Sequence, residues 1–261
     1  MTEEEKAMTI GYIQHGNGPE RVLVMHDWNG DHTNYDPIIP YLDGSTFTYA
    51  FVDLRGYGKS RDMTGEYTVT EVAGDCLEVA DQLGWDKFHV IGHSMTGMAT
   101  QRIALDAPSR VKSAIAVCAV SAGGLPMDDD TWGFFSSATE NDDAFRELIK
   151  VVTGGLSDQW GGFKLRQNRE TTAPECRLGY LTMFSKTNFA EEVQGLETPY
   201  LVVIGENDTE GLDEAGMKAT FLAWHPNAEL VMIPNAGHYP MQESPPFFAT
   251  VIENFLRKQI T

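Results

Sequence analysis

Cysteine is scarce in this chain of 261 residues, and so is positive charge. The three cysteines, Cys76, Cys118 and Cys176, are far apart, odd in number and contain no C-x-x-C pair. That excludes a disulfide framework and suits a reducing compartment. Lysine and arginine total 19 against 38 aspartates and glutamates, a net charge of −19. Such a balance argues against binding nucleic acid or an anionic membrane surface. No apolar run approaches the ~20 residues that span a bilayer. The opening Met1-Thr2-Glu3-Glu4-Glu5-Lys6 lacks the basic and apolar regions of a secretion signal. Repeats and disordered linkers are absent as well. These absences lead to the expectation of a cytoplasmic protein.

What is present is an ordinary globular composition, 42% hydrophobic and 22% charged, long enough for one large domain or a domain with an insertion. Arg21–Met25 reads as a strand buried on both faces and Val111–Val120 as another buried strand, and Phe47–Val52, Phe88–Gly92, Pro199–Gly205 and Leu230–Ile233 read as further strands. Met8–Gln14 alternates weakly, as an edge strand does. Helical spacing covers Val69–Leu83, with Thr68 or Thr70 as its cap, and helices are expected at Tyr35–Leu42, after Ser94 to Asp106, at Glu214–Trp224 and at Phe247–Lys258. Strands alternating with helices imply an α/β fold with a doubly wound, mostly parallel central sheet. Between Ser121 and Gln194 the pattern changes to short amphipathic segments broken by Gly154-Gly155 and Gly161-Gly162. The expected division is a core of residues 1–121 and 195–261, with 122–194 as a helical cap inserted over the sheet's carboxyl edge.

The chemistry is expected at Gly92-His93-Ser94-Met95-Thr96-Gly97, where a strand turns sharply into a helix with a serine at the apex. A serine hydrolase needs a nucleophile, a base and a carboxylate that orients the base. Ser94 is the candidate nucleophile. His238, in Ala236-Gly237-His238 after the last strand, is the candidate base. Asp208, in Gly205-Glu206-Asn207-Asp208 after the preceding strand, is the candidate acid. All three follow strands, so one sheet edge can gather them. His26, Asp27, Asp31 and His32 match no metal-binding spacing, and Asp128-Asp129-Asp130 lacks that of a calcium loop, so no metal is expected.

On His26-Asp27-Trp28, Asp53-Leu54-Arg55-Gly56-Tyr57-Gly58-Lys59-Ser60, Gly92-His93-Ser94-Met95, Gly205-Glu206-Asn207-Asp208 and Ala236-Gly237-His238, the chain resembles the α/β-hydrolase-fold superfamily. The resemblance is to its small esterases, cofactor-free haloperoxidases and lactonases. It implies an oxyanion hole made by the backbone N–H groups of Trp28 and Met95, and no cofactor. Two positions depart from the family pattern, which has glycine where this chain has Asp27 and Thr96. Asp27 is left either as a substrate contact or as a brace for its loop. The aromatic residues of the insertion are read as its own small core, as pocket lining, or as both. Asp27, Trp132, Phe135, Trp160, Met183 and Tyr239 are the pocket candidates. The implied activity is hydrolysis of a small carboxylic ester or lactone through an acyl-enzyme. Carbon–carbon bond or enol-lactone hydrolysis on the same triad is the neighbouring alternative, and a non-catalytic ligand-binding protein is the alternative from another class. The oligomeric state is left open.

Overall fold

The structure, a computed structural model, describes residues 9–260. One sheet holds β1 (Tyr12–His15), β2 (Glu20–Met25), β3 (Phe47–Val52), β4 (Phe88–His93), β5 (Val111–Val117), β6 (Tyr200–Gly205) and β7 (Ala228–Ile233). The strand order is β1-β3-β2-β4-β5-β6-β7. Only β1 runs antiparallel, along β3, and the other neighbours are parallel. Every residue of β3, β4 and β6 is buried, which is why these strands read as mostly apolar runs, interrupted only at Thr48, His89 and His93, rather than as alternating ones. Parallel strands need crossovers, and α1 (Val69–Gln82) and α2 (Gly97–Asp106) supply those on either side of β4. The Thr68 hydroxyl caps α1 by accepting from the Glu71 amide.

Between β5 and β6 lie α3 (Asp129–Ala138), α4 (Asp142–Val152), α5 (Asp158–Thr171), α6 (Pro174–Lys186) and α7 (Ala190–Val193). They rest on the loops at the carboxyl ends of the strands. The Ala173 amide donates to Gly56 O at 2.7 Å and the His238 amide to Val152 O at 3.0 Å. Trp28 Nε1 donates to Arg177 O at 2.7 Å. After β6 come α8 (Glu214–Ala219) and α9 (Phe221–Trp224), and after β7 come α10 (Pro240–Glu243) and α11 (Pro245–Lys258). Among the described residues no helix is long and apolar enough to cross a membrane.

Several expected boundaries shift for local reasons. The edge strand starts at Tyr12, and its expected first residue, Met8, lies outside the described residues. The expected Tyr35–Leu42 helix is a 3-10 segment over His32–Tyr41, because Pro37 and Pro40 remove donors that an α-helical ladder needs. β5 stops at Val117 rather than Val120, since Cys118 takes a positive φ of 45° and turns the chain away from the sheet. The single helix expected at Glu214–Trp224 is broken at Thr220, whose φ and ψ of −117° and −93° are not helical.

Candidate active site

β4 delivers the chain to Ser94, whose φ is +56°. A non-glycine residue in that region costs on the order of 1–3 kcal/mol, so the surroundings must hold it there. Ser94 O accepts from the Val120 amide at 2.9 Å, and the His93 amide donates to Thr96 Oγ1 at 2.9 Å. Close approach of α2 to the sheet requires two glycines. A Cβ on Gly92 would come 2.3 Å from Thr96 O, and one on Gly97 would come 2.3 Å from Ala119 Cβ. The small residue that the helix start needs is therefore Gly97, one position beyond the departure at Thr96.

The Ser94 hydroxyl lies 2.9 Å from His238 Nε2. His238 Nδ1 lies 3.1 and 3.0 Å from the two Asp208 carboxylate oxygens. A carboxylate only accepts, so the imidazole proton is on Nδ1 and the Nε2 lone pair faces the serine. Burial works against a charged imidazolium, but the Asp208 carboxylate and its hydrogen bond raise His238 above its ordinary value of 6.5 on balance. The histidine loop is braced from below. Glu243 accepts from the Gly237 amide at 2.8 Å and from the Tyr239 amide at 2.9 Å. His93 Nε2 donates to His238 O at 2.7 Å. Burial pushes His93 down to about 3, so it stays neutral and serves as a strut between β4 and the loop that carries His238.

The Trp28 amide follows β2 and the Met95 amide follows Ser94. The Trp28 ring also contributes, stacking on Phe135 with centroids 6.0 Å apart and meeting Phe184 edge-on at 5.5 Å. Asp27 is fully buried and braces the loop. Its two oxygens accept from Asn34 Nδ2 at 2.6 Å and from the Tyr239 hydroxyl at 2.8 Å. Asn34 Oδ1 in turn accepts from Lys164 Nζ of α5 at 2.8 Å, and that ammonium lies 4.2 Å from the Tyr239 ring centroid. Burial opposes the Asp27 charge, but the Lys164 ammonium and the Tyr239 hydroxyl hold its carboxyl well below the usual range. Burial pushes Lys164 down to about 8. Asp27 and Lys164 thus form a relayed, buried ion pair that ties the helices over the site to the loop bearing Trp28.

A cavity of about 50 Å³ opens above Ser94 and His238. Its walls are apolar, with Leu125, Phe135, Leu148, Val152, Phe184 and Leu212 as the main contributors and Asn29 and Thr209 as polar points. Of the pocket candidates only Phe135 lines it. Asp27 and Tyr239 face each other in the network beneath. Trp160 packs on Tyr239 and Phe163, each with a centroid distance of 5.9 Å. Trp132 meets Lys186, whose Nζ is 4.8 Å from its ring. Met183 is buried, and its neighbour Phe184 takes the wall position. Sequence reasoning looked for aromatics and passed over aliphatics. Leu148 and Val152 are four apart on amphipathic α4, and that spacing was the available signal.

Asp31, His32 and Asp53 also bring ligand-type atoms together, within 4.8 Å. There Asp53 accepts from the His32 and Lys59 amides at 2.9 and 2.8 Å and pairs with His32 Nδ1 at 2.8 Å. His26 accepts from the Leu54 amide at 3.1 Å through Nε2 and donates to Asp27 O at 2.7 Å through Nδ1. Both clusters knit the loops after β2 and β3.

A serine, an imidazole and a carboxylate in hydrogen-bonded series, at the carboxyl edge of a mostly parallel sheet and under a roof of helices, define the α/β hydrolase class of protein. The chain belongs to the alpha/beta hydrolase fold family, whose sequence profile matches residues 20–245. It is 28% identical over 254 residues to a pimeloyl-[acyl-carrier protein] methyl ester esterase of Nitrosomonas europaea, covering 91% of this chain and 96% of that one. It is 33% identical over 147 residues to the dihydrolipoyllysine-residue acetyltransferase component of an acetoin cleaving system of Cupriavidus necator. That match covers 55% of this chain and only 37% of the relative's length. Among solved structures, bromoperoxidase from Bacillus anthracis superposes with a TM-score of 0.82 at 20% identity, over 94% of each chain, which is a likeness of fold.

Proposed function

We propose that the protein is a serine hydrolase acting on a small, uncharged carboxylic ester or lactone. The observation that carries this reading is the Ser94–His238–Asp208 series, with spacings of 2.9 and 3.0 Å, on a serine held at φ +56°. In this reading His238 takes the Ser94 proton through Nε2 as Oγ attacks the carbonyl. The Trp28 and Met95 amides receive the oxyanion, and His238 then protonates the leaving alcohol. Water repeats the sequence to release the acid. Residues 122–194 act as the cap that encloses the acyl group, and residues 1–121 with 195–261 as the body that carries the chemistry. The similarity to a methyl ester esterase supports ester cleavage.

The cavity narrows the substrate class. At about 50 Å³ it is far below the 300–1,000 Å³ of drug-sized sites. Among the described residues no Lys, Arg, Asp or Glu lines it, so a charged acyl group would meet no counter-ion from them. With p-nitrophenyl esters of graded chain length, kcat/KM is expected to peak at acetyl to butyryl and to fall roughly tenfold or more by octanoyl. Lactones and amides belong in the same screen. A rate that keeps climbing to octanoyl would refute the small-acyl reading.

The pH profile tests the base. His238 must be neutral to accept a proton, and its pKa is raised above 6.5, so activity is lost as pH falls through a value higher than that of a free histidine. The acid limb of kcat/KM is therefore expected to have its midpoint above 6.5. A midpoint well below that value argues against His238 as the group being titrated.

A further inference from the structure

Thr96 stands one position before the glycine that α2 needs, and its hydroxyl occupies a particular junction. Oγ1 is fully buried and lies 2.9 Å from each of three backbone atoms: His93 N, His93 O and His26 O. The His93 amide donates to it, and its own proton goes to one of the two carbonyls. His93 immediately precedes Ser94 and Met95. His26 lies two residues before Trp28, in a turn also held by the His26 ring bonds to Asp27 O and the Leu54 amide, by Asn34 and Tyr239 on the Asp27 carboxylate, and by the Tyr57 hydroxyl on Trp28 O. One side chain thus joins the segment that carries the Met95 amide to the segment that carries the Trp28 amide. Glycine at this position would remove the side-chain bridge and leave only the β2–β4 pairing, which ends at Met25 and Gly92.

We propose that the Thr96 hydroxyl is a positioning residue that sets the separation of the two oxyanion-hole amides, Trp28 and Met95. The inference rests on the reading of Ser94 as nucleophile. Thr96 does not touch the substrate, so its removal is felt when charge develops on the carbonyl oxygen and not when the ester binds. An angstrom of misplacement at such a site is enough to slow turnover markedly.

The test compares Thr96→Val, Thr96→Ser and Thr96→Gly. Each is assayed for KM and kcat on p-nitrophenyl acetate, for inhibition by phenylboronic acid, and for melting temperature. The boronate forms a tetrahedral anion on the serine and so reports the hole directly. For Thr96→Val and Thr96→Gly, kcat is expected to fall roughly 10–100-fold and the boronate inhibition constant to rise by a similar factor, with KM nearly unchanged. Thr96→Ser keeps the hydroxyl and is expected to stay within about threefold of the parent on both readouts. If Thr96→Val does not fold, the Ser and Gly variants decide. A folded Gly or Val variant with parental kcat and boronate affinity overturns the proposal. So does a Ser variant as impaired as the others, which would make volume the cause. Full activity in Ser94→Ala would instead remove the reading on which the inference stands, so the two failures are distinguishable.

Discussion

Ser94→Ala is expected to lower turnover of an activated ester by roughly 10⁴–10⁶-fold, with KM little changed. The substitution removes the only hydroxyl within 2.9 Å of His238 Nε2 among the described residues. What remains is a cavity with two amides that can polarise a carbonyl, and a histidine with no serine to deprotonate. Such a remnant retains some rate over water, which is why the loss is large without being total. Folding is expected to survive. Serine and alanine bear a similar strain at φ +56°, and the bonds that hold the turn, from the Val120 amide to Ser94 O and from the His93 amide to Thr96 Oγ1, do not involve the Ser94 side chain. Steady-state kinetics beside a melting curve separate lost chemistry from lost structure. Parental turnover in the folded variant would mean that another group performs the attack.

Asp208→Asn is expected to reduce kcat at neutral pH by about 10³–10⁴-fold. The reason lies in the contacts around the carboxylate. Oδ1 accepts from the Thr209 amide at 2.8 Å, so an asparagine keeps its carbonyl oxygen there and turns its NH₂ towards His238 Nδ1. An amide donor facing Nδ1 places the imidazole proton on Nε2. That nitrogen then donates to Ser94 and cannot take its proton. The imidazolium formed in the transition state also loses its counter-charge. Both effects act on kcat, while the apolar cavity beside Ser94 is untouched. A drop of less than about tenfold would assign Asp208 a bracing role alone.

The parts of the fold that were legible in sequence are those whose physics is local. A strand buried on both faces is mostly apolar, so β2, β3, β4 and β6 stood out as runs. A serine between Gly92 and Gly97, at the end of such a run, marked the turn because close helix–strand packing leaves room for little else. The order of Ser94, Asp208 and His238, each after a strand, then gathered them on one edge. Less legible were features made by contacts distant in the chain. Nothing in the sequence around Lys164 marks its burial, which comes from Asn34, Gln167 and Tyr239. Asp27 reads as either a substrate contact or a brace until Asn34 and Tyr239 occupy both its oxygens. The cavity wall depends on which face of each cap helix turns inward. Trp132 and Trp160 lie off the lining of the cavity beside Ser94, whereas Leu148 and Val152, four apart on α4, line it. Thr96 looked like a blemish in a motif because a single sequence does not show which carbonyls its hydroxyl will meet.

The most direct measurement of the central claim is mass spectrometry of the folded protein after reaction with a fluorophosphonate. Such a reagent captures a serine only where a base activates it and a hole receives the phosphoryl oxygen. One adduct per chain is expected, on the peptide that contains Ser94, and it is expected to be absent when His238 is replaced by alanine. Ester hydrolysis that continues in folded protein with Ser94 unlabelled, or with the adduct on another residue, would contradict the account.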